Sequence, residues 1–277
     1  MPAPPFLPHH ALVTAPGASP TRALLMLHGI LGAGANLRSF ARRLAHAHPS
    51  WAFVLVDLRE HGLSQGAPPP HTVESAARDL LRLGDQLTLP ITAVLGHSFG
   101  GKVALAYLAH RRGELDQAFL LDASPSRKPD GGGDETSAQV LRMLRALPDP
   151  IPSRERFLDI VASHGFPRSI GEWLAMNVRL DPTGKGGLHF RLDLDAIEAL
   201  LTDYFAVDLW PVLEQPGHAR AFHVVLGGRS DTVDAADRAR LAALPWIHTD
   251  VIEGAGHWLH VDAPDALFAL ISEALAA

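Results

Sequence analysis

The sequence predicts an α/β protein with a mostly parallel central sheet, helices on both faces of that sheet, and a helical insertion. Three observations support this fold class. Short apolar runs recur along the chain, amphipathic helical segments separate them, and the alternation stops between about residues 124 and 216. Strands joined through a helix pair in parallel, because the helix carries the chain back across the sheet.

The predicted strands are apolar runs too short for helices, and most end at a glycine or an aspartate. They comprise residues 23–27, 52–56, 91–95, 118–121, 222–226 and 249–252, with a shorter strand near residues 11–14. Apolar residues recur at intervals of three and four between these runs, which predicts helices. The clearest helical segments are residues 37–45, 72–87, 102–109 and 235–244.

The insertion divides the chain into a core of residues 1–123 and 217–277 and a cap of residues 124–216. Its segments show helical spacing and no clear strand. Capping boxes at Ser169 with Glu172 and at Asp195 with Glu198 predict two helix starts within it. We therefore expect a helical lid above the sheet.

The composition excludes several classes of protein. Of 277 residues, 47% are hydrophobic and 19% are charged, which is typical of a globular domain. A net charge of −6 gives no general attraction to nucleic acid or to an anionic membrane. The absence of cysteine excludes disulfides, thiolate metal sites and a cysteine nucleophile. We find neither a membrane-spanning stretch nor a signal peptide, and we expect a cytoplasmic monomer or homodimer.

A serine turn is the clearest chemical motif. Residues 96–101 read Gly-His-Ser-Phe-Gly-Gly, directly after a predicted strand and before a predicted helix. In the G-x-S-x-G pattern, the glycines allow a sharp turn that exposes the serine as a nucleophile. Ser98 is therefore the predicted nucleophile. Residues 96–102 also fit the start of a phosphate-binding loop, but Val103 lacks the hydroxyl that would bind Mg²⁺.

A serine hydroxyl needs a base, and His257 follows the last predicted strand at the end of the sequence Gly-Ala-Gly-His, whose glycines free the loop. The histidine in turn needs a carboxylate, and two aspartates follow strands. Asp231 is preferred because Gly227 and Gly228 free its loop to bend towards the base. Asp122 satisfies the same chain order and remains the alternative acid.

The tetrahedral intermediate of acyl transfer needs an oxyanion hole, for which residues 28–32, His-Gly-Ile-Leu-Gly, follow the first buried strand. The backbone amides of Ile30 and Phe99 are the predicted donors, since one follows His-Gly and the other follows the nucleophile. His28 is expected to brace the loop.

Taken together, these motifs and Asp57-Leu58-Arg59-Glu60-His61-Gly62-x-Ser64 resemble the α/β-hydrolase superfamily over the chain from about residue 23. The Gly-His-Ser-x-Gly-Gly-Lys turn and residues 188–194 are similar to small esterases of the abhydrolase domain-containing protein 11 type and their bacterial relatives. The resemblance implies an α/β-hydrolase fold with a cap. Glu60 departs from the glycine usual at its position.

The expected function is hydrolysis of a carboxylic ester or thioester of modest size through an acyl-enzyme intermediate, without cofactor or metal. A carbon–carbon bond hydrolase or a non-hydrolytic ligand-binding member of the same fold is the alternative, because fold does not fix function. Trp173, Phe190 and Trp258 are the predicted substrate-binding residues.

Overall fold

The computed structural model describes residues 5–128, 135–180 and 186–276. Its central sheet contains β1 (His10–Val13), β2 (Arg22–Leu27), β3 (Trp51–Val56), β4 (Ile91–His97), β5 (Leu115–Leu121), β8 (Ala219–Gly227) and β9 (Ile247–Ile252). Within the described ranges these seven strands lie in the order β1-β3-β2-β4-β5-β8-β9. Only the β1–β3 pair among them is antiparallel. The predicted α/β fold class is confirmed.

Burial on both faces explains why the central strands are continuous apolar runs. Every residue of β3 is buried. Within this strand the adjacent residues Phe53 and Val54 belong to different hydrophobic clusters. Successive strand side chains point to opposite faces, so one strand contributes to two cores.

Helices cover both faces of the sheet. α2 (Val73–Gly84), α3 (Phe99–His110) and α9 (Ala235–Ala242) contribute to the cluster on one face. The other face is covered by α1 (Arg38–Ala47) and α11 (Pro264–Ala276), while the short helix α10 (Leu259–Asp262) precedes α11. No helix in the described part of the chain is both long and apolar enough to cross a membrane.

The insertion contains α4 (Glu135–Arg145), α5 (Arg154–Ser163), α6 (Arg168–Leu174), α7 (Leu194–Ala206) and α8 (Trp210–Leu213). It also contains an antiparallel pair, β6 (Val178–Leu180) with β7 (Leu188–Phe190). The insertion is therefore mainly helical, as predicted, but it contains a strand pair that the sequence did not indicate. Strands of three residues are too short to show an alternating pattern in the sequence.

Both predicted capping boxes are also wrong. α6 follows Pro167 without a side-chain cap. The N-cap of α7 is Asp193, whose carboxylate accepts hydrogen bonds from the amides of Asp195 and Ala196. Asp195 thus lies inside the first turn of α7. An acidic side chain there stabilises the helix through its favourable interaction with the helix dipole, without capping it.

Candidate active site

Ser98 occupies a strained turn between β4 and α3. β4 ends at His97 and α3 begins at Phe99, and Ser98 between them has a φ of 53° and a ψ of −118°. A non-glycine residue in this conformation costs free energy and is found chiefly where function requires it. The strand, turn and helix that the motif predicts are therefore all present.

The glycines around Ser98 are required by close backbone contacts. A Cβ atom on Gly96 would lie 2.2 Å from the carbonyl oxygen of Gly100, and one on Gly100 would lie 2.6 Å from that of His28. On Gly101 it would lie 2.3 Å from the Cβ atom of Ala123. The motif therefore lets α3 approach the two strands that flank β4.

His257 pairs with Asp122. Its Nδ1 lies 2.7 Å from Oδ2 of Asp122, a carboxylate with no solvent exposure. The amide of Gly227 donates to Oδ1 at 3.1 Å, and the hydroxyl of Ser230 donates to Oδ2. The hydroxyl of Thr232 lies 3.0 Å from His257 Nδ1. These contacts orient the imidazole with Nδ1 towards the carboxylate.

The preference for Asp231 as the partner of His257 is corrected by this geometry. Ser230 and Thr232 both turn their hydroxyls towards the Asp122–His257 pair, while Asp231 between them is exposed. Asp231 lines the same cavity as His257, but the carboxylate bonded to the imidazole is that of Asp122. Gly227 at the end of β8 allows a close backbone contact, since a Cβ atom there would lie 2.3 Å from the carbonyl oxygen of Gly256.

Ser98 and His257 line one cavity of about 380 Å³ between the sheet and the insertion. Trp173 and Trp258 line it as well, with their ring centroids 6.0 Å apart. Phe190 does not line it. Its ring packs against that of Phe157 inside the insertion, with centroids 6.3 Å apart, so the substrate-binding role predicted for Phe190 is corrected.

Two residues that line this cavity have backbone amides without a hydrogen-bond partner in the described part of the chain. Ile30 and Phe99 both line it, and within the described residues neither N–H group has a hydrogen-bond acceptor. Phe99 is the first residue of α3, where the positive end of the helix dipole points outward. The two amides are therefore available to an oxygen atom that becomes negatively charged.

His61 holds the loop that contains Ile30. Its Nε2 accepts a hydrogen bond from the amide of Leu31 at 3.0 Å, and its Nδ1 donates to the carbonyl oxygen of Arg59 at 2.9 Å. Leu31 has a φ of 61°, a left-handed conformation that this bond helps to hold. Complete burial lowers the pKa of His61 to about 3, which keeps the imidazole neutral and able to accept.

His28 braces the same loop, as the sequence predicted. Its Nε2 accepts from the amide of Leu58 at 3.0 Å, and its Nδ1 donates to the carbonyl oxygen of Gly29 at 2.7 Å. Burial lowers the pKa of His28, against a smaller opposing effect of its bond to Gly29. The neutral imidazole fixes the backbone just before Ile30.

His97 supports the backbone of His257. Its Nε2 donates to the carbonyl oxygen of His257 at 2.8 Å, and the two rings lie 4.7 Å apart. Desolvation lowers the pKa of His97 well below the usual value for histidine. The sequence offered no signal for this contact beyond the position of His97 next to Ser98, because it joins residues 160 positions apart.

No group of three or more histidine, aspartate or glutamate side chains in the described ranges is arranged to hold a metal ion. The site is thus built from a strained serine, a histidine paired with a buried carboxylate, and two unpaired amides around a mainly apolar cavity. Together with the seven-stranded sheet of the described residues, these features define the α/β-hydrolase class.

The sequence comparison agrees. The chain belongs to the alpha/beta hydrolase family, whose model matches residues 24–270. It is 27% identical to esterase YbfF of Escherichia coli (strain K12) over 249 residues, which cover 90% of this chain and 91% of that protein. It is 26% identical to the sn-1-specific diacylglycerol lipase ABHD11 of Mus musculus over 256 residues, covering 92% and 81% of the two chains.

Solved structures share the fold. A marine microorganism esterase superposes with a TM-score of 0.83 at 22% identity, over 97% of this chain and 99% of that one. E-2-(acetamidomethylene)succinate hydrolase superposes with a TM-score of 0.74 at 20% identity, over 98% and 100% of the two chains. The resemblance inferred from the motifs is confirmed at the level of the superfamily.

Proposed function

We propose that the protein is a serine hydrolase that cleaves a carboxylic ester or thioester of modest size through an acyl-enzyme intermediate. Ser98 is the nucleophile, His257 the general base and acid, and Asp122 the carboxylate that orients the histidine. The pairing of His257 with buried Asp122, beside a cavity that strained Ser98 also lines, is the observation that carries the proposal.

Acylation begins when the hydroxyl oxygen of Ser98 attacks the carbonyl carbon while its proton moves to Nε2 of His257. Asp122 accepts from Nδ1–H of His257, which fixes the tautomer that leaves Nε2 free and stabilises the imidazolium. The amides of Ile30 and Phe99 hold the carbonyl oxygen as it becomes negatively charged. The bond to the leaving oxygen or sulfur then breaks, and the proton on Nε2 passes to the leaving group.

Deacylation repeats these steps with water. His257 removes a proton from the water molecule, the resulting hydroxide attacks the acyl carbon, and the same amides hold the oxyanion. The bond to the oxygen of Ser98 breaks, and the proton on Nε2 returns to Ser98. The products are an alcohol or thiol and a carboxylic acid.

The relatives support an ester as the substrate, since two of them, at 27% and 26% identity, are an esterase and a diacylglycerol lipase. The apolar walls of the cavity, which include Trp173 and Trp258, suit an acyl chain.

A fluorophosphonate probe tests the proposal directly, because it reacts only with an activated serine. We expect intact-protein mass spectrometry to detect one added label, and peptide mapping to assign it to Ser98. Ser98→Ala should abolish both labelling and turnover of p-nitrophenyl acetate. Ser126→Ala, at another serine that lines the cavity, should remain labelled. A label that persists in Ser98→Ala would refute the assignment.

A further inference from the structure

Lys102 is a buried ammonium group on the helix that follows Ser98. It is one of three lysines in the chain, and its side chain is 1% exposed. Its Nζ donates to the carbonyl oxygens of Ser126 at 2.7 Å, Tyr204 at 2.6 Å and Val207 at 3.0 Å. An ammonium group has three protons, so all its donors are used.

The three carbonyls belong to two segments of the insertion, one at its start and one near its end. Ser126 lies on the outgoing stem, residues 123–128, which follows β5. Tyr204 and Val207 lie on the returning stem, residues 204–210, at the end of α7. The last carbonyl groups of a helix lack intrahelical partners and carry partial negative charge, so a cation is favourable there.

The two stems are bonded to each other as well. The amide of Lys128 donates to the carbonyl oxygen of Phe205 at 2.6 Å, and that of Leu209 donates to the carbonyl oxygen of Pro125 at 2.9 Å. The stems therefore form one unit, and Lys102 ties that unit to α3. Lys102 lies one helical turn after Ser98, whose carbonyl oxygen is 3.4 Å from the Lys102 amide.

Burial of this charge is costly. Its Nζ donates to three carbonyl oxygens, and Asp208, Asp237 and Asp203 lie near enough to favour its charged form. The carbonyl oxygens, these aspartates and the ring of Tyr204, with its centroid 4.5 Å from Nζ, compensate the charge. An apolar side chain could fill the same space without a desolvation cost. We infer that position 102 needs a side chain that packs and also donates three hydrogen bonds to the stems.

We propose that Lys102 is a positioning residue that fixes the insertion side of the cavity relative to Ser98 and so sets the size of the acyl group that is accepted. Ser126, Tyr204 and Phe205 of the two stems line the cavity, so the bonds of Lys102 hold its wall. The inference rests on the proposed esterase function.

The first test compares Lys102→Met with wild type on p-nitrophenyl acetate and p-nitrophenyl octanoate. Without the three bonds the wall should move away from Ser98. The octanoate-to-acetate ratio of kcat/KM should then rise by about tenfold, the effect of accommodating one further methylene in an apolar pocket. The change should appear in KM for octanoate, with kcat for acetate retained. Arg78→Met, at an exposed cation on α2, is the matched control and should leave the ratio unchanged.

The second test has its main readout in wild type, which does not depend on the folding of a variant. Desolvation lowers the pKa of Lys102 to about 8, and a neutral amine keeps only two donors. The same ratio should therefore rise between pH 7 and pH 9 in wild type and stay constant in Lys102→Met. Carboxylates titrate well below this range, and lysine and tyrosine ordinarily above it. The charged groups near Lys102 are Asp203 from α7, Asp208 from the returning stem, Asp237 from α9 and Lys128 from the outgoing stem. The neutral ring of Tyr204 from α7 also faces it.

The outcomes separate this inference from the proposed function. If fluorophosphonate fails to label Ser98 in wild type, the esterase proposal fails. If Ser98 is labelled but the ratio is unchanged in Lys102→Met, or is flat with pH in wild type, the role of Lys102 is overturned while the esterase proposal stands.

Discussion

The carboxylate of Asp122 accepts a hydrogen bond from Nδ1 of His257 at 2.7 Å, although 135 residues separate them in the chain. This contact determines which tautomer the imidazole adopts. An asparagine at position 122 could turn its NH₂ group towards Nδ1, and the proton of the ring would then move to Nε2. His257 could no longer accept a proton from Ser98.

We therefore expect Asp122→Asn to lower kcat by about 10⁴, the loss that follows when a catalytic histidine is held in the wrong tautomer. Asp231→Asn is the matched control, because Asp231 is exposed and its carboxylate has no bond to His257. It should keep kcat within about twofold of wild type. Steady-state kinetics on p-nitrophenyl acetate, with circular dichroism to check folding, decide the matter. The reverse ranking would return the acid to Asp231.

The sequence predicted the strands well because the sheet is buried on both faces. Apolar runs such as residues 52–56 cannot be exposed without a large hydrophobic cost, so their position in the chain nearly determines their structure. The turn at Ser98 was predictable because its glycine pattern is local in the sequence, and Gly96 is required by a contact with Gly100 only four residues further on. Its catalytic role stays a prediction.

The acid could not be chosen from the sequence because the choice depends on how loops from β5, β8 and β9 meet. The sequence around Asp231 contained a usable signal, because Ser230 and Thr232 flank it. Their hydroxyls, and not the carboxylate between them, reach the Asp122–His257 pair. Phe190 was misassigned for another reason. Aromatic residues in the insertion serve both its own core and the cavity, and sequence spacing does not distinguish the two.

The contact between α3 and the end of β5 should be sensitive to a single methyl group. A Cβ atom on Gly101 would lie 2.3 Å from that of Ala123, the residue next to Asp122. Gly101→Ala should therefore destabilise the fold by about 1–3 kcal/mol through overpacking, and should lower kcat because Asp122 is displaced.

The double variant Gly101→Ala with Ala123→Gly removes the clash and should recover much of the lost stability. Urea unfolding of the two single variants and the double variant gives the coupling free energy. Ala123→Gly alone measures the loss of the buried methyl group and the added backbone freedom. Simple additivity of the two single effects would contradict the predicted contact.

Stability should fall as the pH is lowered through the ordinary range of histidine. The pKa of buried His61 is lowered to about 3, whereas in the unfolded chain it titrates near 6.5. Between these values the unfolded state binds a proton that the folded state does not, so folding is disfavoured as the pH falls. From pH 8 to pH 5 His61 alone should cost about 2 kcal/mol.

His61→Gln isolates this contribution, because glutamine can accept the hydrogen bond from the amide of Leu31 but does not titrate. Urea unfolding at several pH values should give a shallower dependence for the variant than for wild type, by close to one proton at pH 5. His46→Gln, at an exposed histidine on α1, should leave the dependence unchanged. Equal slopes for His61→Gln and wild type would show that His61 is not kept neutral.

A preference for short acyl chains should follow from the size of the cavity. About 380 Å³ is enclosed between the sheet and the insertion, and Trp173 from α6 forms part of the wall. We expect kcat/KM to fall for p-nitrophenyl esters once the acyl chain is longer than the cavity.

Trp173→Ala should enlarge the cavity and raise kcat/KM for octanoate about tenfold, since each methylene in an apolar pocket contributes a factor of that order. Phe190→Ala removes an aromatic ring from the same insertion, but that ring packs on Phe157 outside the cavity, so the chain-length profile should not change. A wild-type enzyme that prefers long-chain triacylglycerols, or that is activated at a lipid interface, would show that the insertion opens wider than this cavity allows.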